Sequence, residues 1–179
     1  MSEQQEDWKR CVEFHGHTCP GLAIGYRIAL AAQKHLQAQF SPDEEIVCVT
    51  ENDSCSVDAI QVLTGCSIGK GNLIYRDTGK QAFSFYSRKD GRKVRLFFKM
   101  QGKRGSQADR DAFQEKILNA PDEELFTFTE PADLPPSKAR LFTSIVCEEC
   151  GEAAPEHKIR LHQGKKVCLG CFPDYSRGW

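Results

Sequence analysis

The chain has 179 residues, 40% hydrophobic and 27% charged, enough for one substantial core with a small appendage but hardly two large cores. A net charge of −1 leaves no global electrostatic footprint for nucleic acid or an anionic membrane. The opening MSEQQEDWKR has no apolar leader core, and no run of about 18 uncharged apolar residues offers a membrane span, so a cytoplasmic protein without a membrane anchor is expected.

In chain order, FHGHTC at 14–19 places His15, His17 and Cys19 at alternate positions; in an extended chain these point to one side and converge just before Pro20. Pro20 to Gln39 is predicted to be a helix, with proline in its first turn and Leu22, Tyr26, Ala29, Ala32 and Leu36 at helical spacing. IVCVT at 46–50 is predicted to be a buried strand. ENDSC then leads into a short helix, SVDAIQVLT, with Gly65 as its cap.

The alternating segments NLIYR, AFSFY and KVRLFFKM, separated by DTGK and RKDGR, predict a three-stranded antiparallel meander. LFF at 96–98 beside AFSFY carries more aromatic surface than one face of such a sheet hides, which predicts self-association. GCSIGKGN at 65–72 misses the GxxxxGK[ST] spacing of a phosphate-binding loop and reads as a turn. QADRDAFQEKILNA is helical by pattern, with Phe113, Ile117 and Ala120 on one face. The proline-rich TEPADLPPSK reads as a stiff linker, placing the boundary between a core of residues 1–134 and an appendage of residues 135–179 near Leu134.

Nine cysteines are many for a chain expected in a reducing compartment, so metal or thiol chemistry precedes disulfides as the explanation. Cys147, Cys150, Cys168 and Cys171 form two CxxC knuckles whose four thiolates complete a tetrahedral structural zinc site with no open position. His157 and His162 between them read as solvated or outer residues, and Ile159 and Leu161 as a short strand beneath the knuckles. From Lys138 onward seven Lys/Arg face five Asp/Glu, and four thiolates on Zn²⁺ contribute −2. With only Phe172, Tyr175 and Trp179 as aromatic platform, protein contact or a structural lid fits better than nucleic acid.

Cys19 stands where a helix dipole and unsatisfied N–H groups favour thiolate over thiol, and Cys55 stands likewise before SVDAIQVL. If the two helices are neighbours, His17, Cys19 and Cys55 form a mixed site for zinc, nickel or iron. His15 is a competitor or outer partner, Glu51 or Asp58 a carboxylate partner, and Cys19 and Cys55 the candidates for any catalytic role. The competing reading is packing and capping, which suits Cys11, Cys48 and Cys66; His35 lies on a polar flank.

FHGHTCPGLAIGYRIALAA, ENDSCSVDAIQVLTGCSIGKGNL and GKQAFSFY, in this order, strongly resemble the FmdE family of formylmethanofuran dehydrogenase components over roughly residues 8–120. The tail separately resembles the DksA/TraR-type C4 zinc finger, with CEECG, IRL and CLGC in place. The resemblance implies an α+β fold, an antiparallel sheet flanked by helices with a small zinc-ribbon-like domain after it. It also implies a metal or thiol site at the HGHxC and second-cysteine motifs, and a homodimer. The enzyme complex it points to needs large pterin domains, and the C-x₂-C-x₂-C-x₃-C run of ferredoxin clusters is missing. The expected role is therefore an accessory metalloprotein of a molybdenum or tungsten oxidoreductase complex. The alternatives are a metal-dependent enzyme on a small substrate and a zinc-finger regulator.

Overall fold

Ser2 and Gln5 start the first helix by a reciprocal capping box: the Gln5 N–H donates to the Ser2 hydroxyl at 3.3 Å and the Ser2 N–H to the Gln5 side chain at 2.9 Å. Helix α1 (Glu3–His15) turns Trp8, Cys11 and Val12 inward. It ends at Gly16, whose φ of 87° is a left-handed conformation that costs glycine little. His15 is therefore the last helical residue, and the extended run expected through it begins only after the cap. The computed structural model describes residues 2–102 and 105–173; Tyr175 and Trp179 lie outside the described residues.

Helix α2 (Pro20–Leu36) is buried along most of its length; its last residue falls three short of the expected Gln39, and left-handed Gln37 caps it. Strand β1 (Ile46–Thr50), helix α3 (Ser56–Thr64, capped by Gly65) and strand β2 (Leu73–Tyr75) follow. Then come β3 (Ala82–Ser87), β4 (Lys93–Phe98), α4 (Gln107–Asn119), α5 (Asp122–Leu125) and β5 (Phe126–Thr129). The sheet order is β2-β1-β3-β4-β5, antiparallel except for the parallel β1–β2 pair.

The expected meander is thus only half present. β3 and β4 form the hairpin, but β2 pairs with β1 instead of β3. All five residues of β1 are buried, so this strand takes an interior position with partners on both edges, and the chain reaches β2 by crossing over through α3.

Ile46, Cys48, Phe83, Phe85, Val94, Leu96 and Phe98 alternate onto the face that packs against the helices. Of the residues behind the expectation of self-association, Phe83, Phe85 and Leu96 are fully buried in this core, while Phe97 stays exposed. Arg27 of α2 ties α4 down: its guanidinium donates to the Ile117 and Leu118 carbonyls at 2.7 and 2.9 Å and to Asp122 at 2.8 Å.

On the other face Val47, Val49 and Tyr86 cluster with Ile74. The proline-rich segment is fastened to the sheet by Glu130 on Lys93, by Asp133 on Arg76, and by the Ala139 N–H on Glu44 at 3.2 Å.

The chain divides into two compact units, the first ending at Ala139 and the second beginning at Arg140. In the second, β6 (Ser144–Val146) pairs antiparallel with β7 (Ala153–Pro155), and β8 (Ile159–His162) with β9 (Lys165–Cys168). Among the described residues no helix is long and apolar enough to cross a membrane.

Two candidate metal centres

Helices α2 and α3 meet along a seam of glycines. A Cβ on Gly25 would lie 2.0 Å from the Ser56 carbonyl oxygen, and one on Gly21 would lie 3.1 Å from the Cys55 Cβ. At Gly25 only hydrogen lets the backbones approach this closely, and at Gly21, one helical turn earlier, a side chain would crowd Cys55. The seam joins the start of α2 to the start of α3, so Cys19 and Cys55, the residues immediately before the two helices, are brought together.

Each arrives in a different conformation. Cys19 is extended, and its sulfur accepts the Leu22 N–H at 3.3 Å. Cys55 is already helical and makes no side-chain cap. Burial, then the neighbouring Cys19, push the Cys55 thiol up, against the lowering expected of a helix terminus.

Helix α1 supplies the third donor. His15 Nε2 lies 3.8 Å from the Cys19 sulfur, and His15 Nδ1 meets the Asp58 carboxylate at 2.7 Å. Asp58 occupies the first turn of α3, so one helix presents both Cys55 and the carboxylate that orients His15. With Nδ1 donating its proton to Asp58, Nε2 is left with a lone pair facing the sulfurs. One donor atom each from His15, Cys19 and Cys55 fall within 4.8 Å of one another.

His17 is not in this group. Its ring is exposed and leans on that of His15 at a centroid separation of 4.4 Å. Alternation set His15, His17 and Cys19 on one side because it assumed an extended chain through 15–19, whereas His15 points from the last turn of a helix. The signal for that helix was legible in Ser2-x-x-Gln5, followed by Trp8, Cys11, Val12 and His15 at helical spacing.

The loop before Cys55 is held rigid. Asn52 accepts from the Ser54 N–H at 3.2 Å and hydroxyl at 2.7 Å, and its amide donates to the Lys80 carbonyl at 2.9 Å. Glu51 is committed elsewhere, to Arg95 at 2.7 Å and Thr78 at 2.9 Å. The Arg95 guanidinium is the main reason its carboxyl sits below the usual range, against the opposing cost of burial and with the Thr78 hydroxyl adding to it.

Cys11, Cys48 and Cys66 are fully buried, away from this cluster. Burial pushes the Cys11 thiol up to about 12 and the Cys66 thiol up to about 11, and raises Cys48 well above its ordinary value. They are packing residues. His35 is exposed.

In the second unit Cys147, Cys150, Cys168 and Cys171 bring their sulfurs within 4.8 Å of one another. The backbone N–H groups of Cys150 and Cys168 bring the Cys147 thiol down to about 6. Cys171 is pushed up to about 12, first by the Cys150 and then by the Cys168 side chain. Four thiols this close cannot all ionise without a cation among them, which is the demand a zinc ion meets. His157 packs on Phe142 at 4.0 Å and His162 on Phe172 at 5.7 Å, outside the thiol cluster.

A mixed sheet carrying a His/Cys cluster at two helix starts, followed by a four-cysteine finger, defines a metal-binding protein of two units. The profile of the FmdE family, described as molybdenum formylmethanofuran dehydrogenase operon, matches residues 14–127, well over half of the chain. The prokaryotic DksA/TraR C4-type zinc finger matches residues 140–177. The chain belongs to the FmdE family and carries a zinc finger, with a His/Cys cluster in its core.

Among solved structures it is similar to a tungsten formylmethanofuran dehydrogenase FmdE-like protein from Syntrophus aciditrophicus. The TM-score is 0.67 at 26% identity, covering 94% of this chain and 91% of that one. Among curated proteins it is 32% identical to a probable S-adenosyl-L-methionine-binding protein of Archaeoglobus fulgidus over 93% of this chain. The chain spans about half (52%) of that relative's length.

Proposed function

We propose that the chain is an accessory metalloprotein that holds a transition metal in its core through His15, Cys19 and Cys55, beside the structural zinc of its finger. The observation behind this reading is the approach of one imidazole nitrogen and two sulfurs, from three separate segments, to within 4.8 Å. Thiolate and imidazole donors suit zinc, nickel or iron better than magnesium or calcium. A bound ion would supply Lewis acidity or, for a redox metal, electron transfer. The chain's own part is to aim His15 from Asp58 and to hold the two sulfurs against the Gly21–Gly25 seam. The partner in this reading is a molybdenum or tungsten oxidoreductase, the assembly a homodimer and the compartment the cytoplasm.

The test is elemental analysis of the full chain purified without added metal. Two transition-metal equivalents are expected, falling to one in the His15→Ala/Cys55→Ser double variant. One equivalent in the wild type, or two in the variant, defeats the core-metal reading.

A second reading, a metal-dependent enzyme, is favoured by the donor count. Three protein donors leave a tetrahedral ion one position for an exogenous ligand, as in catalytic zinc sites. The curated relative's name adds S-adenosyl-L-methionine as a ligand to try by calorimetry. An open groove of about 750 Å³, lined by Trp8, Tyr26, Leu30, Lys34 and Leu118 and by none of the cluster's three donors, is of sufficient size for such a ligand.

A further inference from the structure

We propose that Cys19 and Cys55 form an oxidative modification site, in which a hydroperoxide joins them as a disulfide and so removes both thiolates from the core cluster. The metal-release half of this proposal rests on the core-metal reading; the disulfide half does not.

The two sulfurs lie within 4.8 Å of one another. They also flank the same glycine, since a Cβ on Gly21 would stand 3.7 Å from the Cys55 sulfur and 3.8 Å from the Cys19 sulfur. Gly21 has no side chain to stand between them. Turning one χ1 between staggered positions moves a sulfur by about 3 Å, enough to close the gap to the ~2.05 Å of a disulfide. Access differs between the two. Cys55 is half-buried and open to a small oxidant, while Cys19 is only 6% exposed and waits beside it. The other core cysteines, Cys11, Cys48 and Cys66, are each 0% exposed, so within the core oxidation is directed to this pair.

The chemistry balances in two steps. The Cys55 sulfur attacks one oxygen of hydrogen peroxide; the O–O bond breaks, water leaves and Cys55 becomes a sulfenic acid. The Cys19 sulfur then attacks the Cys55 sulfur, forming the S–S bond and expelling a second water. Two thiols lose two electrons and the peroxide takes them up. What remains of the cluster is His15, still held by Asp58, and one imidazole does not retain a transition metal that needed two thiolates.

The test treats the full chain, with its metal counted beforehand, with stoichiometric hydrogen peroxide. Free thiols are then blocked, and tryptic peptides are read by fragment-ion mass spectrometry. A Cys19–Cys55 link with loss of one metal equivalent is expected, and a dithiol with added metal should reverse both. The link must vanish in Cys55→Ser. Sulfinic acid on Cys55 with Cys19 unlinked, or a link formed while the core metal stays bound, overturns the proposal. If the untreated chain carries metal only in its finger, the core-metal reading fails, and the linked peptide still decides whether the modification site exists.

Discussion

The two cysteine-bearing clusters are built in opposite ways. In the finger all four donors lie between residues 147 and 171, and each CxxC knuckle supplies its own backbone N–H groups: the Gly151 N–H donates to the Cys147 carbonyl at 2.9 Å and the Phe172 N–H to the Cys168 carbonyl at 2.9 Å. In the core the donors come from the end of one helix and the starts of two others, and no short stretch contains the site. The finger, too small for an apolar core, depends on its metal for folding. The first unit buries a large hydrophobic core of its own, which its cluster does not have to replace.

The largest effect should separate them outright. Cys168→Ser removes a finger ligand and should unfold the second unit, collapsing its NMR dispersion across 143–173 while the core resonances stay in place. A finger still dispersed and still holding zinc would show that four thiolates are not what folds it.

Gly25→Ala should do the converse. Its Cβ would meet the Ser56 carbonyl oxygen at 2.0 Å, so α2 and α3 must move apart. About 3 kcal/mol of core stability should be lost in urea unfolding, together with the metal equivalent assigned to the core, while the finger keeps its zinc. An unchanged unfolding midpoint would mean that the seam does not set the spacing of Cys19 and Cys55.

A smaller loss is expected at Asp58, which only aims a ligand. Asp58→Ala should weaken core metal affinity by about 10- to 100-fold, measured by chelator competition. Asp58→Asn should recover part of this, and finger zinc should be untouched. Equal affinities would leave His15 oriented by packing alone.

The smallest effect tests the frame around Cys55 by pH. Because the folded Glu51 carboxyl is held below its ordinary value, its stabilisation is present above the unfolded value of about 4.3 and is lost as pH falls through the folded one. Glu51→Gln should therefore cost about 1 kcal/mol at pH 7, with the gap to wild type closing toward pH 3. A gap that persists at pH 3 would point to packing at residue 51 instead of its charge.

The finger was legible in the sequence because its information is local: two CxxC pairs specify donor type, number and spacing within one short segment. Helices α2, α3 and α4 were legible too, since period, proline and glycine mark them directly. The motifs of the core cluster were also visible, including Cys19 and Cys55 at two helix starts. Only the tertiary structure decided how they meet. Whether His15 or His17 faces the sulfurs depends on where α1 stops and on its packing against α3; the capping box and spacing of α1 were visible, but not the neighbour it would lie against. Whether β2 joins β3 or β1 depends on which strand needs partners on both edges, a property of the assembled sheet. The closeness of Cys19 to Cys55, 36 positions later in the chain, depends on two glycines whose meaning appears only when another backbone lies against them. Sequence determines donors and local geometry, because these follow from neighbours along the chain; the convergence of distant donors is set by packing, which no local pattern records.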